Sequence, residues 1–271
     1  MPTVTTSLGT VSYTDAGEGP PVLLLHANLH DGTDYAPVLD ALTRGRRVIA
    51  VDWPGHGSSP APDAMLGAPE FGDLASEFVD MLELSNLVII GNSVGGYAAC
   101  RVALERPDRV AGVVLVNTGG FTPPTPLLRA FCAVMGKPAV IRSIAPAFAW
   151  AYMRPKTAGD RSIVARVAAR SRTAEGARAG AALWRSFALP AHDLRSIAHG
   201  IKCPVLITWG TRDLTAPTRW GRAVADAIPG AAFTTFPTGH VVFSSEPEAW
   251  LGEVVPFVES TQDADRPATR G

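Results

Sequence analysis

The chain has 271 residues with 24 basic and 25 acidic side chains, a formal net charge of −1; 46% of it is apolar and 18% charged. That length and apolar share support one large or two small domains around a sizeable core and exclude a disordered chain. A net charge so close to zero supplies no field to draw in nucleic acid or an anionic membrane.

The N-terminal Met1-Pro2-Thr3-Val4-Thr5-Thr6 has neither the basic residues nor the apolar core of a secretion signal. No apolar run approaches the roughly 18 residues needed to cross a bilayer, so the expected location is cytoplasmic. Cys100, Cys132 and Cys203 are odd in number and far apart, which argues against a disulfide framework or zinc site and predicts apolar fillers.

Short continuous apolar runs recur at Val22–Leu25, Val48–Val51, Leu87–Ile90, Val113–Val116 and Val205–Thr208. Runs without polar alternation predict strands buried on both faces, as in a parallel sheet. Helical faces lie between them: Tyr35, Val38, Leu39 and Leu42, then Leu74, Phe78, Val79 and Leu82, then Tyr97, Val102 and Leu104. Alternating strands and helices predict an α/β fold, a doubly wound and mostly parallel sheet.

The rhythm breaks between Phe121 and Gly200, where helical stretches are punctuated by Pro138, Pro146, Pro155 and Pro190. This predicts a helical insertion. It carries twelve Lys or Arg and three acids, a balance of +9 in a chain of net −1. Two readings stay open: a solvated helix face, or a basic cover over a site that takes an anionic group. Strand and helix then resume, with a last strand at Ala232–Phe236 and a closing helix from Pro247 to Val258 whose Trp250, Leu251, Val254 and Phe257 face inward. The polar residues after it predict a frayed tail.

Gly91-Asn92-Ser93-Val94-Gly95 stands between a strand and a helix, the setting in which G-x-S-x-G forms a nucleophile elbow. A strand turning at once into a helix strains its apex residue and exposes it at the carboxyl edge of the sheet, beside the free N–H groups of the helix start. A serine hydroxyl needs a base and an acid to orient that base. Asp213 follows the strand ending near Trp209, and His240 follows the strand ending at Phe236. Ser, Asp and His thus occur in order on one edge of one sheet and form a candidate catalytic set.

With these pieces the chain resembles the α/β-hydrolase family from Val22 to about Phe257. The matching motifs are the elbow, the Gly210-Thr211-Arg212-Asp213 loop with Pro217, Gly239-His240 followed by Glu246-Pro247, and Asp52-Trp53-Pro54-Gly55-His56-Gly57-Ser58. The resemblance implies an α/β-hydrolase core over residues 1–120 and 201–260, a helical cap over 121–200 inserted after the sixth strand, and a disordered tail over 261–271. It implies backbone oxyanion donors at Asn28 and Val94, in a loop reading His26-Ala27-Asn28 where the family usually has His-Gly-x. A glycine would relieve a backbone conformation that Ala27 tolerates less well.

Of the remaining histidines, His26 is expected to brace the oxyanion loop and His30 to reach the substrate, while His192 and His199 are expected at the surface or in packing. Phe131, Phe148, Trp150, Tyr152 and Trp184 are candidates for an apolar substrate pocket or for the core of the insertion. No metal-ligand spacing and no phosphate-binding glycine loop is present, so no metal and no cofactor is expected. The expected reaction is ester-type hydrolysis of a small, largely apolar molecule through an acyl-enzyme, that of a carboxylic ester hydrolase. Ser93 argues against the family's dehalogenases and epoxide hydrolases, which carry an aspartate at the elbow. Two alternatives are a carbon–carbon bond hydrolase of ring-cleavage products, suggested by Gly91-Asn92-Ser93-Val94-Gly95-Gly96, and a small-molecule receptor or inactive relative on the same fold. The only partner expected is the small-molecule substrate.

Overall fold

A computed structural model describes residues 1–263. Eight strands form one sheet: β1 (Thr3–Thr6), β2 (Gly9–Ala16), β3 (Pro21–Leu25), β4 (Arg47–Asp52), β5 (Leu87–Asn92), β6 (Val110–Val116), β7 (Val205–Gly210) and β8 (Ala232–Phe236). Their order is β1-β2-β4-β3-β5-β6-β7-β8, with β2 antiparallel to both its neighbours, β1 and β4, and every other pairing parallel. The fold is α/β, as its strand and helix alternation predicts. The β1–β2 hairpin has no counterpart among the apolar runs because its strands are half exposed and rich in threonine.

The continuous apolar runs divide by the period of two. Leu23 and Leu25 belong to the core on one face of the sheet, under α2 (Ala68–Met81) and α3 (Val94–Glu105). Val22 and Leu24 belong to the core on the other face, which also holds residues of α1 (Ala36–Leu42). Each strand therefore buries side chains on both faces, and each such Leu or Val contributes about 1.5–3 kcal/mol.

Four helices lie between β6 and β7: α4 (Pro126–Met135), α5 (Pro138–Met153), α6 (Ala158–Arg172) and α7 (Ala174–Ser186). Pro126 and Pro138 stand at helix starts, where a missing N–H costs nothing. Pro146 instead lies inside α5, which continues through it and packs on α6 and α7. Tertiary burial of Ile141, Ala145 and Ala149 overrides the local penalty. The chain closes with α8 (Thr218–Ala227), α9 (Val242–Ser245) and α10 (Pro247–Asp263).

The tail expected from residue 261 does not begin there: residues 261–263 are the last turn of α10. Thr261 and Gln262 are buried in α10, and Gln262 Nε2 donates to the carbonyls of Pro21 (3.0 Å) and Asn86 (3.2 Å). A polar end of a helix is held here by carbonyls at the starts of β3 and β5. The remainder of that expectation, residues 264–271, lies outside the described residues. Cys100 and Cys132 are buried, Cys203 half buried, and all three are free thiols whose burial pushes their ionisation upward.

The sheet changes winding direction between β3 and β5, the place where a doubly wound sheet leaves a crevice at its carboxyl edge. Their register ends with Leu25 opposite Gly91. The segments beginning at His26 and Ser93 therefore leave the sheet side by side.

Candidate active site

Ser93 has φ 57° and ψ −115°, a conformation costly for a residue with a Cβ. The elbow that imposes it depends on close backbone approach. A Cβ on Gly91 would lie 2.3 Å from the Gly95 carbonyl oxygen, and one on Gly95 would lie 2.1 Å from that of Leu25. Ser93 is held at the apex by its own backbone, with its carbonyl accepting from Gly96, Tyr97 and Gly119 and its N–H donating to Val116.

His240 Nδ1 lies 2.5 Å from Asp213 Oδ2. A carboxylate only accepts, so the proton sits on Nδ1 and Nε2 keeps its lone pair. Asp213 is buried, and its second oxygen accepts from Thr215 N (2.8 Å) and Oγ1 (2.7 Å). Asn117 Nδ2 donates to Asp213 Oδ2 at 2.7 Å. The His240 loop is fixed by its N–H to the Tyr152 carbonyl (3.1 Å) and by Asn92 Nδ2 to its own carbonyl (3.1 Å).

The loop after β3 carries Asn28, whose side-chain amide donates to Gly180 of α7 at 3.2 Å. Ala27 has an ordinary backbone, while Leu29 takes φ 68°. The strain in this loop thus falls two residues after the position at which glycine relief was anticipated. Val94 N opens α3, so it has no partner within the helix. His26 ties this loop to β4: Trp53 N donates to its Nε2 (3.1 Å) and Trp53 Nε1 to its carbonyl (2.9 Å). Burial lowers the imidazole to about 3, which keeps it a neutral brace. Asp52 likewise accepts from Gly32 N (2.8 Å) and Ser58 N (2.7 Å), so it holds two loops together.

Two chambers meet at Ser93 and His240. A small one of about 60 Å³ is lined by residues that include Asn28, His30, Ile141, Tyr152 and Trp184. A large one of about 790 Å³ is lined by residues that include Phe131, His192, Leu214 and Arg219, and its rim is exposed at Leu127 and Leu214. Phe148, Trp184 and Phe187 border both. Of the anticipated pocket residues, His30, Phe148, Tyr152 and Trp184 line the small chamber with Ser93, and Phe131 lines the large one. Trp150 does not: it is 56% exposed and lines a separate surface groove with Arg154 and Arg212. It occupies the outward side of α5, whereas Phe148 and Tyr152 point inward. His199 is exposed, but His192 is buried, stacks on Tyr97 and Phe187, and borders the large chamber.

Asn92, Asn117 and Thr215 are site residues not anticipated from the sequence. Asn117 had one usable signal, a polar residue directly after the β6 apolar run, on the edge that carries Ser93 and Asp213. The basic balance of the insertion is in part spent internally. Arg166 Nη2 donates to Asp34 (2.6 Å), Arg170 Nη2 to Asp31 (3.4 Å), and Lys156 pairs with Glu246 (2.6 Å). No group of His, Cys, Asp and Glu able to hold a metal occurs among the described residues.

A sequence model of the alpha/beta hydrolase family matches residues 22–253. The chain belongs to that family. Haloalkane dehalogenase 2 of Mycobacterium tuberculosis is 38% identical over 135 residues, 49% of this chain and 47% of that protein, so the match spans about half the relative's length. An enol-lactonase from Burkholderia xenovorans superposes with a TM-score of 0.82 at 26% identity, covering 95% of this chain and 100% of that one. A thermophilic esterase from Thermogutta terrifontis superposes at 0.83 with 23% identity over 96% and 98% of the two chains, a likeness of fold. This member of the family has no helix among its described residues long and apolar enough to cross a membrane.

Proposed function

We propose that the protein is a cofactor-independent serine hydrolase that cleaves an ester-type bond of a small, largely apolar molecule through an acyl-enzyme. The observation that carries this reading is the strained Ser93 elbow facing a His240 already oriented by Asp213 at 2.5 Å. As Ser93 Oγ bonds to the carbonyl carbon, its proton passes to His240 Nε2. The carbonyl oxygen, now an anion, lies on the N–H groups of Asn28 and Val94. The imidazolium returns the proton to the leaving oxygen as the carbon–oxygen bond breaks, and water then repeats the sequence to release the acid. Similarity to a protein named enol-lactonase supports the reading. An alkyl-enzyme route of the dehalogenase kind needs a carboxylate at the elbow, where this chain has Ser93.

The two chambers receive the two halves of the substrate. The alcohol must leave before water enters, so it belongs in the large chamber with the exposed rim. The acyl group belongs in the small one, whose 60 Å³ holds roughly four to six heavy atoms. We place the cap in the four helices from Pro126 to Ser186, since α5 and α7 supply the partition between the chambers. Ion pairing of Arg166 and Arg170 to core carboxylates leaves the anionic-substrate alternative without those two cations.

Mass spectrometry of the intact protein after a fluorophosphonate probe tests the reading. One label on Ser93, absent in Ser93→Ala and His240→Ala, is the expected result. A folded wild-type protein that takes no label would overturn it and favour a receptor or an inactive relative.

A further inference from the structure

The small chamber contains a second buried histidine–carboxylate pair that the acyl-transfer chemistry does not use. His30 is 1% exposed; its Nδ1 is hydrogen-bonded to Asp34 Oδ2, and its Nε2 lies 2.8 Å from the Tyr152 hydroxyl. Asp34 is itself buried and accepts from Arg166 Nη2 through its other oxygen. His30 and Tyr152 both line the chamber, and the Tyr152 ring stands edge-on to His240 with centroids 5.3 Å apart. Most of the other side chains lining this chamber, among them Leu29, Ile141, Ala145 and Val167, are apolar.

The direction of the hydrogen bonds follows from the partners. The Asp34 carboxylate can only accept, so Nδ1 of His30 carries a proton; in that tautomer Nε2 accepts the Tyr152 proton. Burial raises the phenol's ionisation, so the hydroxyl keeps that proton. Its oxygen then has lone pairs left and no proton to offer. The Asp34 charge is balanced by Arg166, so the wall is polar and close to neutral. Such a wall accepts a hydrogen bond from a neutral hydroxyl and gives nothing to a carboxylate.

We propose that the Tyr152 hydroxyl, oriented by His30 and Asp34, is the specificity-determining contact of the acyl chamber, and that the acyl group is short and carries a hydroxyl, as in a 2-hydroxyacyl ester. This rests on the assignment of the small chamber to the acyl group. A hydroxymethyl group beyond the carbonyl has two heavy atoms, which the chamber holds, and its hydroxyl finds in Tyr152 an acceptor that a methyl group would leave unused.

The test compares phenyl glycolate with its isostere phenyl propionate, and phenyl methoxyacetate with phenyl butyrate, each corrected for its uncatalysed hydrolysis rate. The wild-type protein is expected to favour glycolate over propionate in kcat/KM by about tenfold, the worth of one well-placed hydrogen bond. Methoxyacetate, which has no proton to donate, is expected to gain nothing over butyrate. Tyr152→Phe, which removes one atom, is expected to bring the glycolate preference to within about twofold of unity. An equal preference for methoxyacetate, no glycolate preference in the wild type, or a preference that survives in Tyr152→Phe would overturn the proposal. If Tyr152→Phe does not fold, the two wild-type comparisons decide. Failure of the hydrolase reading looks different: no fluorophosphonate label and no turnover of any of the four esters. In that event calorimetric binding of glycolate against propionate to the Ser93→Ala protein still reads the Tyr152 contact, and equal affinities would overturn it.

Discussion

Asn117 spans the ends of two neighbouring strands: its Nδ2 donates to Asp213 Oδ2 at 2.7 Å while its Oδ1 accepts from Gly210 N at 2.8 Å. One amide thus sets both the path of the β7 loop and the carboxylate oxygen that His240 uses. Removing it leaves Asp213 with one fewer donor and a looser loop. A hydrogen bond to a charged group is worth about 1.5–3 kcal/mol. Asn117→Ala is therefore expected to lower kcat/KM for a reactive phenyl ester by about 10- to 100-fold and to slow fluorophosphonate labelling of Ser93 similarly. A loss confined to thermal stability, with labelling at the wild-type rate, would show that Asn117 does not position Asp213.

Ile141 forms part of the wall of the small chamber and is fully buried. Ile141→Ala deletes three carbons there and should enlarge the space for the acyl group. The expected outcome is a shift of the preferred chain length by one or two carbons in a series of p-nitrophenyl esters from acetate to octanoate. The change also costs about 2–5 kcal/mol of stability, as for other large-to-small core substitutions, which urea unfolding measures. An unshifted length profile would place the acyl group in the large chamber.

What the sequence displays and what it hides follow from how far each signal reaches along the chain. Ser93 and Asp213 each follow a continuous apolar strand and His240 follows the short strand Ala232–Phe236, so local patterning puts all three on one edge. Tyr152 and His30 are separated by more than a hundred residues and by a helix-rich insertion, and only the packing of α5 against the β3 loop brings them together. Asn92 stands inside the elbow motif, yet its bond to the His240 carbonyl depends on how two distant loops meet. The β1–β2 hairpin was hidden for another reason. Its strands mix threonine, serine and aspartate with few apolar residues, so no apolar run marks them.

Arg166 reaches from α6 to Asp34, a carboxylate that is 3% exposed at its side chain. Arg166→Ala leaves that charge without its cation, and Asp34 in turn holds His30. The expected effect is a loss of about 1–3 kcal/mol in urea unfolding, with a rise in KM for short-acyl esters that exceeds the fall in kcat. Arg166→Lys restores a point charge without the guanidinium fork and is expected to recover part of the stability. An alanine variant with wild-type stability and KM would mean that the pair is solvated and holds nothing.

Burial keeps three histidines neutral in the fold: His26 is lowered to about 3, His192 to about 4, and His56 well below its ordinary value. In the unfolded chain each protonates near 6.5. Below that pH the unfolded state binds protons that the folded state refuses, so stability falls as pH falls and is retained above about 6.5. Each group contributes up to about 1.4 kcal/mol per pH unit between its unfolded and folded values. His192→Phe keeps the ring stacked between Tyr97 and Phe187 but removes one titrating group. Relative to wild type, it is expected to gain about 2 kcal/mol on going from pH 7 to pH 5, read from urea midpoints at the two values. Parallel losses in both proteins over that range would show that His192 is protonated in the fold and that its burial does not exclude charge.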